Sequence, residues 1–375
     1  MNCNIALLFS NYGPYHIARL ESLNNTSIQS LQAIGIELSR AEKKYPWQTE
    51  LDNLNVPIIS VIKNSALEET KFNLLVKKLL GTLKEVNPTV LAISGYFNPL
   101  MLIALFWCKL RNKPAILLSE TTESDFERVW WKEKLKSFIV RQFKTALVGG
   151  QPHKRYLTKL GMSEEAIFVG YDVVENNTFH PDKIKHLSKP IDKPFFLTIN
   201  RFIEKKNLPC IINSYARYRQ QVGEFAWDLV LCGDGKMRFQ LQKQISDLNL
   251  QEVVHLPGFL QQSEMLPYFA HAGCFVHGST TEQWGLVVNE AMAAGLPVLV
   301  SNRCGCFEDL IIEGVNGFSF DPYNSQQLTD LMLTISHKDF DRNKIGKAAL
   351  KHIENFSPQR FADGLTKAIK YAIAN

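Results

Sequence analysis

The sequence lacks any hydrophobic stretch long enough to cross a lipid bilayer. Its longest apolar run, Leu100 to Cys108, is far shorter than the roughly 20 residues of a transmembrane helix, and we predict a buried helix there. The apolar run from Ile5 to Phe9 has the length of a strand and no basic flank, so we expect no signal peptide. With 45% hydrophobic and 21% charged residues, the composition is typical of a globular protein.

Cysteines are few, and their arrangement argues against disulfides and metal sites. The seven are an odd number, scattered mostly through apolar segments, which is typical of free thiols in a reducing cytoplasm. Cys304 and Cys306 have no second Cys or His pair beside them, so zinc is not indicated. The Asp-x-Asp sequence from Asp339 to Asp341 lies in a polar stretch and is predicted to be a turn and helix cap. We therefore predict a cytoplasmic protein with no catalytic metal and no bound cofactor.

Acidic residues are scarce in one segment of an otherwise mixed-charge chain. The net charge is +5, and residues 1–189 carry 24 Lys and Arg against 18 Asp and Glu. The excess is concentrated in residues 128–144, where Glu133 is the only acid. Apolar residues recur there at helical spacing, namely Trp131, Leu135, Phe138, Ile139 and Phe143. Such a basic amphipathic helix either lies on the inner face of an anionic membrane or packs its apolar stripe on its own domain. No recognisable nucleic-acid fold accompanies it, so we predict no nucleic-acid partner.

Apolar segments of strand length alternate with helical segments along the whole chain. The predicted strands lie near residues 4–9, 57–62, 89–94, 115–119, 145–149, 166–169, 194–199, 227–232, 253–256, 273–277, 297–301 and 317–320. Continuous hydrophobicity is typical of strands covered on both faces. Their alternation with helices indicates parallel sheets with right-handed crossovers. The sequence thus predicts an α/β protein with two Rossmann-like, doubly wound domains.

A polar segment with three prolines separates the two sets of strands. It covers residues 180–194 and is predicted to be a linker. We assign residues 1–185 to an N-terminal domain and residues 190–357 to a C-terminal domain. The helix-like stretch 358–375 is too short for a third domain, so we expect it to pack on one of the two.

Residues 274–301 combine the features of a site for a sugar phosphate. A strand and a loop of small residues lead into a helix, whose first peptide N–H groups, from Trp284 to Leu286, form an anion site. Gly285 has no side chain, so a phosphate can approach the backbone closely. Glu290, further along the helix, can accept hydrogen bonds from ribose hydroxyls. Glu282, in the loop before the helix, can accept them from the hydroxyls of a sugar.

The same segment resembles the donor site of retaining glycosyltransferases of family four, which have the GT-B architecture. The family pattern is a Glu, seven residues, a second Glu and then Ala-Met-Ala-x-Gly-x-Pro-Val. Here Glu282 is followed after seven residues by Glu290 and by the matching segment Ala291 to Val298. The resemblance implies two domains facing across a cleft, the first on the acceptor side and the second binding a nucleotide-sugar donor. It also implies that the helix 358–375 packs back on the first domain.

Further segments of the second domain resemble the family in order and spacing. Arg201 and Lys206 follow a strand, and the resemblance implies that they clamp the donor diphosphate. Fixed cations there stabilise the charge that develops as the sugar–phosphate bond breaks. Gly233 belongs to a similar turn at the end of a strand, and Gly258 to the loop that lies against the nucleotide base. The residues do not distinguish UDP-linked from GDP-linked donors.

Three loops of the first domain resemble family loops that face donor or acceptor. Gly13 turns into a helix after the first strand and is expected near the donor phosphate. His16 either hydrogen-bonds the transferred sugar or the attacking hydroxyl, or has a structural role at the helix start. Gly95 and Tyr96 resemble a loop that lines the acceptor cleft. Where many family members have a sugar-contacting His, this chain has Glu120, which either faces the sugar or caps the next helix.

Together, the resemblance implies a retaining, metal-independent hexosyltransferase of polysaccharide or glycoconjugate biosynthesis. Its donor is a nucleotide-diphosphate sugar, and its acceptor is a saccharide, a glycolipid or a lipid-linked hydroxyl compound. The catalytic roles are assigned to Glu282, Arg201, Lys206 and His16. Two alternatives remain open, namely a nucleotide-sugar epimerase or hydrolase on the same fold and a non-catalytic partner subunit.

Overall fold

The computed structural model describes residues 3–26, 31–41 and 54–374, and the chain divides into two compact units. The first unit comprises Met1–Val174 and Phe356–Asn375, and the second comprises Glu175–Asn355. The strands are β1 Cys3–Phe9, β2 Leu31–Ala41, β3 Ile58–Ala66, β4 Val90–Ser94, β5 Ala115–Ser119, β6 Thr145–Val148, β7 Ile167–Val169, β8 Phe195–Ile199, β9 Asp228–Cys232, β10 Val254–Gly258, β11 Cys274–His277, β12 Val298–Ser301 and β13 Gly317–Phe320.

Helices connect nearly all successive strands. They are α1 Pro14–Asn24, α2 Phe72–Val86, α3 Pro99–Leu110, α4 Trp130–Val140, α5 Gln151–Lys159, α6 Asn176–Phe179, α7 Pro181–Ile184, α8 Leu208–Val222, α9 Arg238–Asp247, α10 Gln262–His271, α11 Leu286–Ala293, α12 Phe307–Leu310, α13 Ser325–Ser336, α14 Arg342–Ile353 and α15 Pro358–Ala374.

Each unit has one parallel sheet. The strand order is β3-β2-β1-β4-β5-β6-β7 in the first unit and β10-β9-β8-β11-β12-β13 in the second, and every pairing is parallel. Two doubly wound Rossmann-like sheets confirm the predicted α/β fold class. The order reverses between β1 and β4, and again between β8 and β11. Loops after these strands are where ligands of such sheets bind.

Helices cover both faces of the first sheet, which explains its continuous apolar strands. One cluster of buried side chains includes Leu79 of α2, Met101 of α3 and Tyr156 of α5. The cluster on the other face includes Leu20 of α1 and Phe361 of α15. In the second sheet, residues of α8, α9 and α13 form a core on one face, while α11 packs on α6 and α14.

The structure differs from the sequence-based expectation in two features of this architecture. Strand β2 was not predicted, because polar residues such as Glu37 and Ser39 interrupt its apolar pattern. The boundary between the units falls after Val174, before the predicted linker. The reason is that α6 and α7 contact α10, and α6 also contacts α11, all within the second unit. Helix α15 packs on α1 and on β5, β6 and β7.

Candidate functional site

In the second unit, the turns after β8, β9 and β10 are joined by backbone hydrogen bonds. Asn200 N–H donates to Cys232 O at 2.9 Å, and Phe202 N–H donates to the carbonyl of Asp234 at 2.7 Å. Gly233 N–H donates to Gly258 O at 2.7 Å. The carboxyl edge of the sheet is therefore a connected backbone framework that positions the predicted donor-site turns together.

The two glycines of this framework have different surroundings. Gly233 has φ +135°, and a Cβ there would lie 1.8 Å from Asn200 O. Close packing of two turns thus accounts for Gly233 without a ligand, and its predicted donor contact is not needed to explain it. Gly258 has φ +94°, and a Cβ on it would meet nothing within 4 Å. Open space at Gly258 leaves room for a ligand to approach the backbone, as predicted for the base-binding loop.

The loop between β11 and α11 is held by backbone hydrogen bonds on both sides. Thr280 N–H donates to Lys205 O at 2.9 Å, and Gly305 N–H donates to Glu282 O at 2.9 Å. Gly285 has φ +107° and directly precedes α11, which favours glycine at that position. The predicted helix start at Leu286 is confirmed. The loop therefore leads from the end of β11, which pairs with β8 at the switch in strand order, into α11.

Glu282 lies in a cluster of polar side chains. Its carboxylate forms an ion pair with Lys206, and Lys205 Nζ lies 3.3 Å from Oε1. Ser279 Oγ donates to Oε2 at 3.2 Å, and His277 Nε2 lies 3.7 Å from the same oxygen. The structure thus brings the predicted catalytic residues Glu282 and Lys206 into direct contact.

The neighbours of Glu282 keep its carboxylate ionised. Burial raises the pKa of this carboxyl, but His277, Lys206 and Lys205 outweigh burial and hold the pKa well below its usual value. Burial also lowers the pKa of His277, whose ring is fully buried and neutral. An ionised carboxylate accepts hydrogen bonds and donates none. The site therefore suits recognition of hydroxyl groups rather than proton donation by Glu282.

Glu290 and Trp284 both lie inside the second unit. Glu290 is 1% exposed, on the second turn of α11. Trp284 is also 1% exposed, and its indole N–H donates to Asn289 Oδ1 at 2.8 Å. The ring of Trp284 is a core side chain, and the predicted donor contact, which rests on the peptide N–H group of Trp284, stays a prediction. Arg201 is partly buried in the turn after β8 that also carries Lys206.

In the first unit, Gly13 and His16 hydrogen-bond each other at the start of α1. Gly13 N–H donates to His16 Nδ1 at 3.2 Å, and His16 N–H donates to Gly13 O at 3.0 Å. The Gly13 N–H is therefore occupied within the turn, and the expected position of Gly13 near a donor phosphate stays a prediction. Because Nδ1 accepts, the proton of the neutral ring is on Nε2.

His16 is a neutral imidazole under ordinary conditions. Burial, with a smaller contribution from the charge of Arg19, lowers the pKa of His16 to about 3. The ring also lies against Phe9, with centroids 4.3 Å apart. A neutral ring with its proton on Nε2 can donate one hydrogen bond to a sugar or hydroxyl oxygen. It cannot serve as a cationic acid near neutral pH.

Glu120, which is partly buried, lies close to the buried carboxyl group of Asp172 in the first unit. Glu120 follows β5, and Asp172 follows β7. Arg19 lies 3.8 Å from Asp172 Oδ1 and donates to Val173 O at 3.1 Å. Burial, and then the charge of Glu120, raise the pKa of Asp172 well above its usual value, so the pair shares a proton. Since α4 begins only at Trp130, the expectation that Glu120 caps the next helix is wrong.

The loop after β4 presents a different aromatic residue from the one predicted. Tyr96 is 3% exposed, and burial raises its pKa to about 12. Its ring is part of the core, and its role as an acceptor contact stays a prediction. Phe97 is 59% exposed and stacks on Tyr96 with ring centroids 4.8 Å apart. Gly95 has φ +74° and open space beside it.

Three residues of the polar cluster were missed by sequence reasoning. Lys205 and Ser279 adjoin predicted positions, and His277 is the last residue of β11. A polar residue at the carboxyl end of an otherwise apolar strand was the available signal for His277.

The Asp-x-Asp sequence from Asp339 to Asp341 is a helix cap, as predicted. Asp341 accepts a hydrogen bond from Lys344 N–H at 3.0 Å and caps α14. Among the described residues, no group of three or more His, Cys, Asp and Glu is placed to hold a metal.

Comparison with known proteins gives a family match for the second unit. Residues 180–352 match the family described as glycosyl transferases group 1. The amylovoran biosynthesis glycosyltransferase AmsK of Erwinia amylovora is 28% identical over 251 residues, covering 65% of this chain and 57% of that protein. The chain spans 27–57% of the lengths of the first curated relatives it matches.

Solved structures match along almost the whole chain. Anabaena Alr3699/HepE, solved with UDP and glucose, is 18% identical, with a TM-score of 0.76 over 98% of this chain and 99% of that one. Sucrose-phosphate synthase from Thermosynechococcus elongatus is 17% identical, with a TM-score of 0.78 over 99% of each chain. Residues 180–352 therefore match the glycosyl transferases group 1 family, and the chain as a whole has the GT-B fold of solved glycosyltransferases.

Proposed function

We propose that the protein is a retaining glycosyltransferase that uses a nucleotide-diphosphate hexose as donor. The observation that carries the proposal is the cluster of Glu282, Lys206 and Lys205 beside the start of α11, with Glu290 buried one turn later. Cations and the peptide N–H groups of a helix start suit a diphosphate. Carboxylates on either side suit the hydroxyls of a ribose and of a hexose. The family match of the second unit and a structural neighbour solved with UDP and glucose support the same activity.

In the proposed reaction, the acceptor hydroxyl attacks the anomeric carbon on the face from which the nucleotide leaves. The bond from the anomeric carbon to the phosphate oxygen breaks, and a bond to the acceptor oxygen forms. The departing phosphate takes the acceptor proton, so no separate base is required. Arg201 and Lys206 stabilise the charge on the phosphate, and Glu290 holds the ribose. Glu282 orients the sugar hydroxyls. The Nε2–H group of His16 donates a hydrogen bond to the transferred sugar or to the attacking hydroxyl, and its proton is not transferred.

The ion pair between Lys206 and Glu282 has a consequence for donor binding in this scheme. While no phosphate is bound, the carboxylate of Glu282 balances the positive charge of Lys206. Lys205 also contacts the carboxylate, at 3.3 Å. When Lys206 turns to the diphosphate, Lys205 continues to neutralise Glu282, so the buried carboxylate is not left without a cation. We propose the same two-cation arrangement for a UDP-linked or a GDP-linked donor.

A panel of nucleotide sugars tests the donor. A ligand that binds only the folded state at a hundred times its Kd adds about 2.7 kcal/mol of stability, which raises the melting temperature by several degrees. Transfer is then assayed with the donor that stabilises, against saccharide, glycolipid and lipid-linked acceptors. Donor turnover without any acceptor would favour an epimerase or hydrolase. Binding without any turnover would favour a non-catalytic subunit.

Alanine substitutions test the site. We expect Glu290→Ala, Arg201→Ala and Lys206→Ala each to lower kcat/KM by about 10²–10³-fold, because each removes a charged contact to the donor. Lys243→Ala is the matched control, since Lys243 is exposed on α9 and pairs with Asp247. Full transferase activity in all three site variants would refute the assignment.

A further inference from the structure

Helix α4 is fixed to the first unit along one side. Ser137 Oγ donates to Leu160 O at 2.6 Å, and Val140 is fully buried. Glu133 accepts hydrogen bonds from Tyr156 and from Lys136, each at 2.8 Å. These contacts set the rotation of the helix about its axis. Its other side is therefore presented to solvent in a defined orientation.

That outer side carries large apolar rings and chains. Trp130 is 70% exposed, Trp131 52%, Leu135 54% and Phe138 66%. The expectation that the whole apolar stripe packs on its own domain is thus wrong for Trp131, Leu135 and Phe138. A contiguous apolar surface of this kind on a folded unit marks an interaction site.

Cations accompany the exposed rings. Lys134 Nζ lies 4.9 Å from the centre of the Trp130 ring, and Lys132 Nζ lies 5.5 Å from that of Trp131. Both lysines are exposed. Glu133, the one acid of α4, is turned inward to Tyr156. The outer side of α4 is therefore aromatic and positively charged, with no acidic side chain of the helix on it.

The surface continues beside the helix. Phe97, exposed in the loop after β4, lies with its ring centre 5.8 Å from Lys136 Nζ. Phe126, just before α4, is 67% exposed. The exposed acid Glu127 also precedes the helix, and Glu123 is neutralised by an ion pair with Lys159. Cationic and aromatic groups thus outnumber acids around the exposed face.

We propose that the outer side of α4, defined by Trp130, Trp131, Lys132, Lys134, Leu135 and Phe138, docks on an anionic lipid membrane. Tryptophan rings favour the boundary between headgroups and acyl chains, and lysines are attracted to anionic headgroups. An α-helix of 11 residues is about 16 Å long, so α4 lies along the surface. None of the helices in the described parts of the chain combines the length and apolarity required to cross a bilayer.

Vesicle flotation tests the docking of the full chain. We expect the protein to float with vesicles of an equal mixture of phosphatidylcholine and phosphatidylglycerol, and to remain unbound with phosphatidylcholine alone. Binding should weaken as salt is raised, because salt screens the attraction of the lysines. Failure of the wild-type chain to bind the mixed vesicles at low salt would overturn the proposal.

Two double variants locate the surface. Trp130→Ser with Trp131→Ser removes the rings, and Lys132→Glu with Lys134→Glu reverses the charge; each should lower vesicle affinity by about tenfold or more. The controls are Phe239→Ser, an 80% exposed ring of the second unit, and Lys347→Glu with Lys351→Glu on α14. The controls should bind as the wild type does. Equal binding by surface variants and controls would place any membrane contact elsewhere and refute the proposal.

Fluorescence and sedimentation separate docking from misfolding and from self-association. Emission should shift to the blue on adding mixed vesicles, and the shift should disappear in Trp130→Phe with Trp131→Phe, which keeps the apolar rings and vesicle binding. Unchanged melting temperature and donor-induced stabilisation would show that the variants fold and that the proposed sugar site is intact. Should sedimentation instead show a dimer that only the surface variants lose, without vesicle binding, the face would join two copies and the lipid proposal would be wrong.

Discussion

At the scale of single residues, a histidine at the third helical position accepts a hydrogen bond from the N-cap N–H in both α1 and α5. Gly13 N–H donates to His16 Nδ1 and Gly150 N–H donates to His153 Nδ1, each at 3.2 Å. His153 is fully buried and is not among the predicted site residues, so the capping contact by itself does not indicate a ligand. The sequence left the role of His16 open between sugar contact and structure. In the structure, Nδ1 of His16 makes the capping contact, and Nε2 is the atom to which the proposed sugar contact is assigned.

The pKa of His16 predicts a pH effect on stability. Because the folded-state pKa is about 3 and the usual value is near 6.5, the unfolded chain binds this proton first. The contribution of His16 is therefore complete above about pH 6.5 and declines as the pH falls towards 3. An asparagine at position 16 keeps a hydrogen-bond acceptor for the Gly13 N–H but has no side-chain group that titrates in this pH range.

Urea unfolding of the wild type and His16→Asn at pH 7 and pH 5 measures this effect. We expect the stability advantage of the wild type to shrink at pH 5, by at most about 1.4 kcal/mol per pH unit below 6.5. A constant difference between the two proteins at both pH values would show that His16 does not titrate as inferred.

The sequence predicts the backbone elements of the candidate site better than it predicts the contacts between its side chains. The helix start at Leu286 follows from a glycine between a buried strand and a segment of helix-forming residues, so local chemistry sufficed. The contact of Lys205 with Glu282 joins residues far apart in the chain, and that of His277 with Glu282 depends on the path of the loop between them. Such contacts depend on tertiary packing, which no spacing reveals. The burial of Trp284 and Tyr96 was missed for the same reason.

At the scale of elements, strands buried on both faces were predictable and β2 was not. The six strands of the second sheet lie within about two residues of the expected segments, because apolar residues dominate most of them. In β2, Glu37 is fully buried and accepts Tyr12 N–H at 3.0 Å and the Ser60 hydroxyl at 2.5 Å. Glu37 is buried because hydrogen-bond donors of the first unit satisfy its carboxylate. The sequence shows only a charged residue that interrupts an apolar pattern, so it does not predict a strand there.

Alanine substitution is expected to have opposite effects at two glycines, one in the turn after β9 and the other in α2. Gly233→Ala should destabilise the second unit by more than about 3 kcal/mol, since the new Cβ would collide with Asn200 O and the φ of +135° disfavours alanine. Gly81→Ala, in the interior of α2, meets nothing within 4 Å. It should stabilise the first unit by about 0.5–1 kcal/mol.

Thermal unfolding of the two glycine variants gives the comparison. The prediction for the turn fails if Gly233→Ala unfolds at the wild-type temperature. It also fails if both substitutions lower the melting temperature equally.

At the scale of the whole molecule, the first unit depends on a helix from the far end of the chain. Phe361, Leu365 and Ile369 of α15 are 0–4% exposed in the core of the first unit. Burying a large apolar side chain contributes about 1.5–3 kcal/mol, so these three approach the 5–15 kcal/mol of a typical domain. The fold class was predictable from the alternation of strands and helices, whereas the packing partner of this helix came only from resemblance.

Truncation tests this dependence. A chain ending after Asn355 should lose the cooperative unfolding of the first unit while Glu175–Asn355 remains resistant to proteolysis. A chain ending after Lys370, which retains the three apolar residues, is the control and should keep both units folded. Protease resistance of the first unit in the shorter chain would show that α15 is dispensable.

The interrupted first unit also has a consequence during synthesis on the ribosome. Domains commonly fold from the N-terminus onwards as the nascent chain emerges, yet here α15 follows the entire second unit. At about 5–20 residues per second, the delay is roughly 10–40 s. For that time the face of β5, β6 and β7 that α15 covers is exposed to other nascent chains. We expect the second unit to mature first, and the first to require chaperone protection until its final helix arrives.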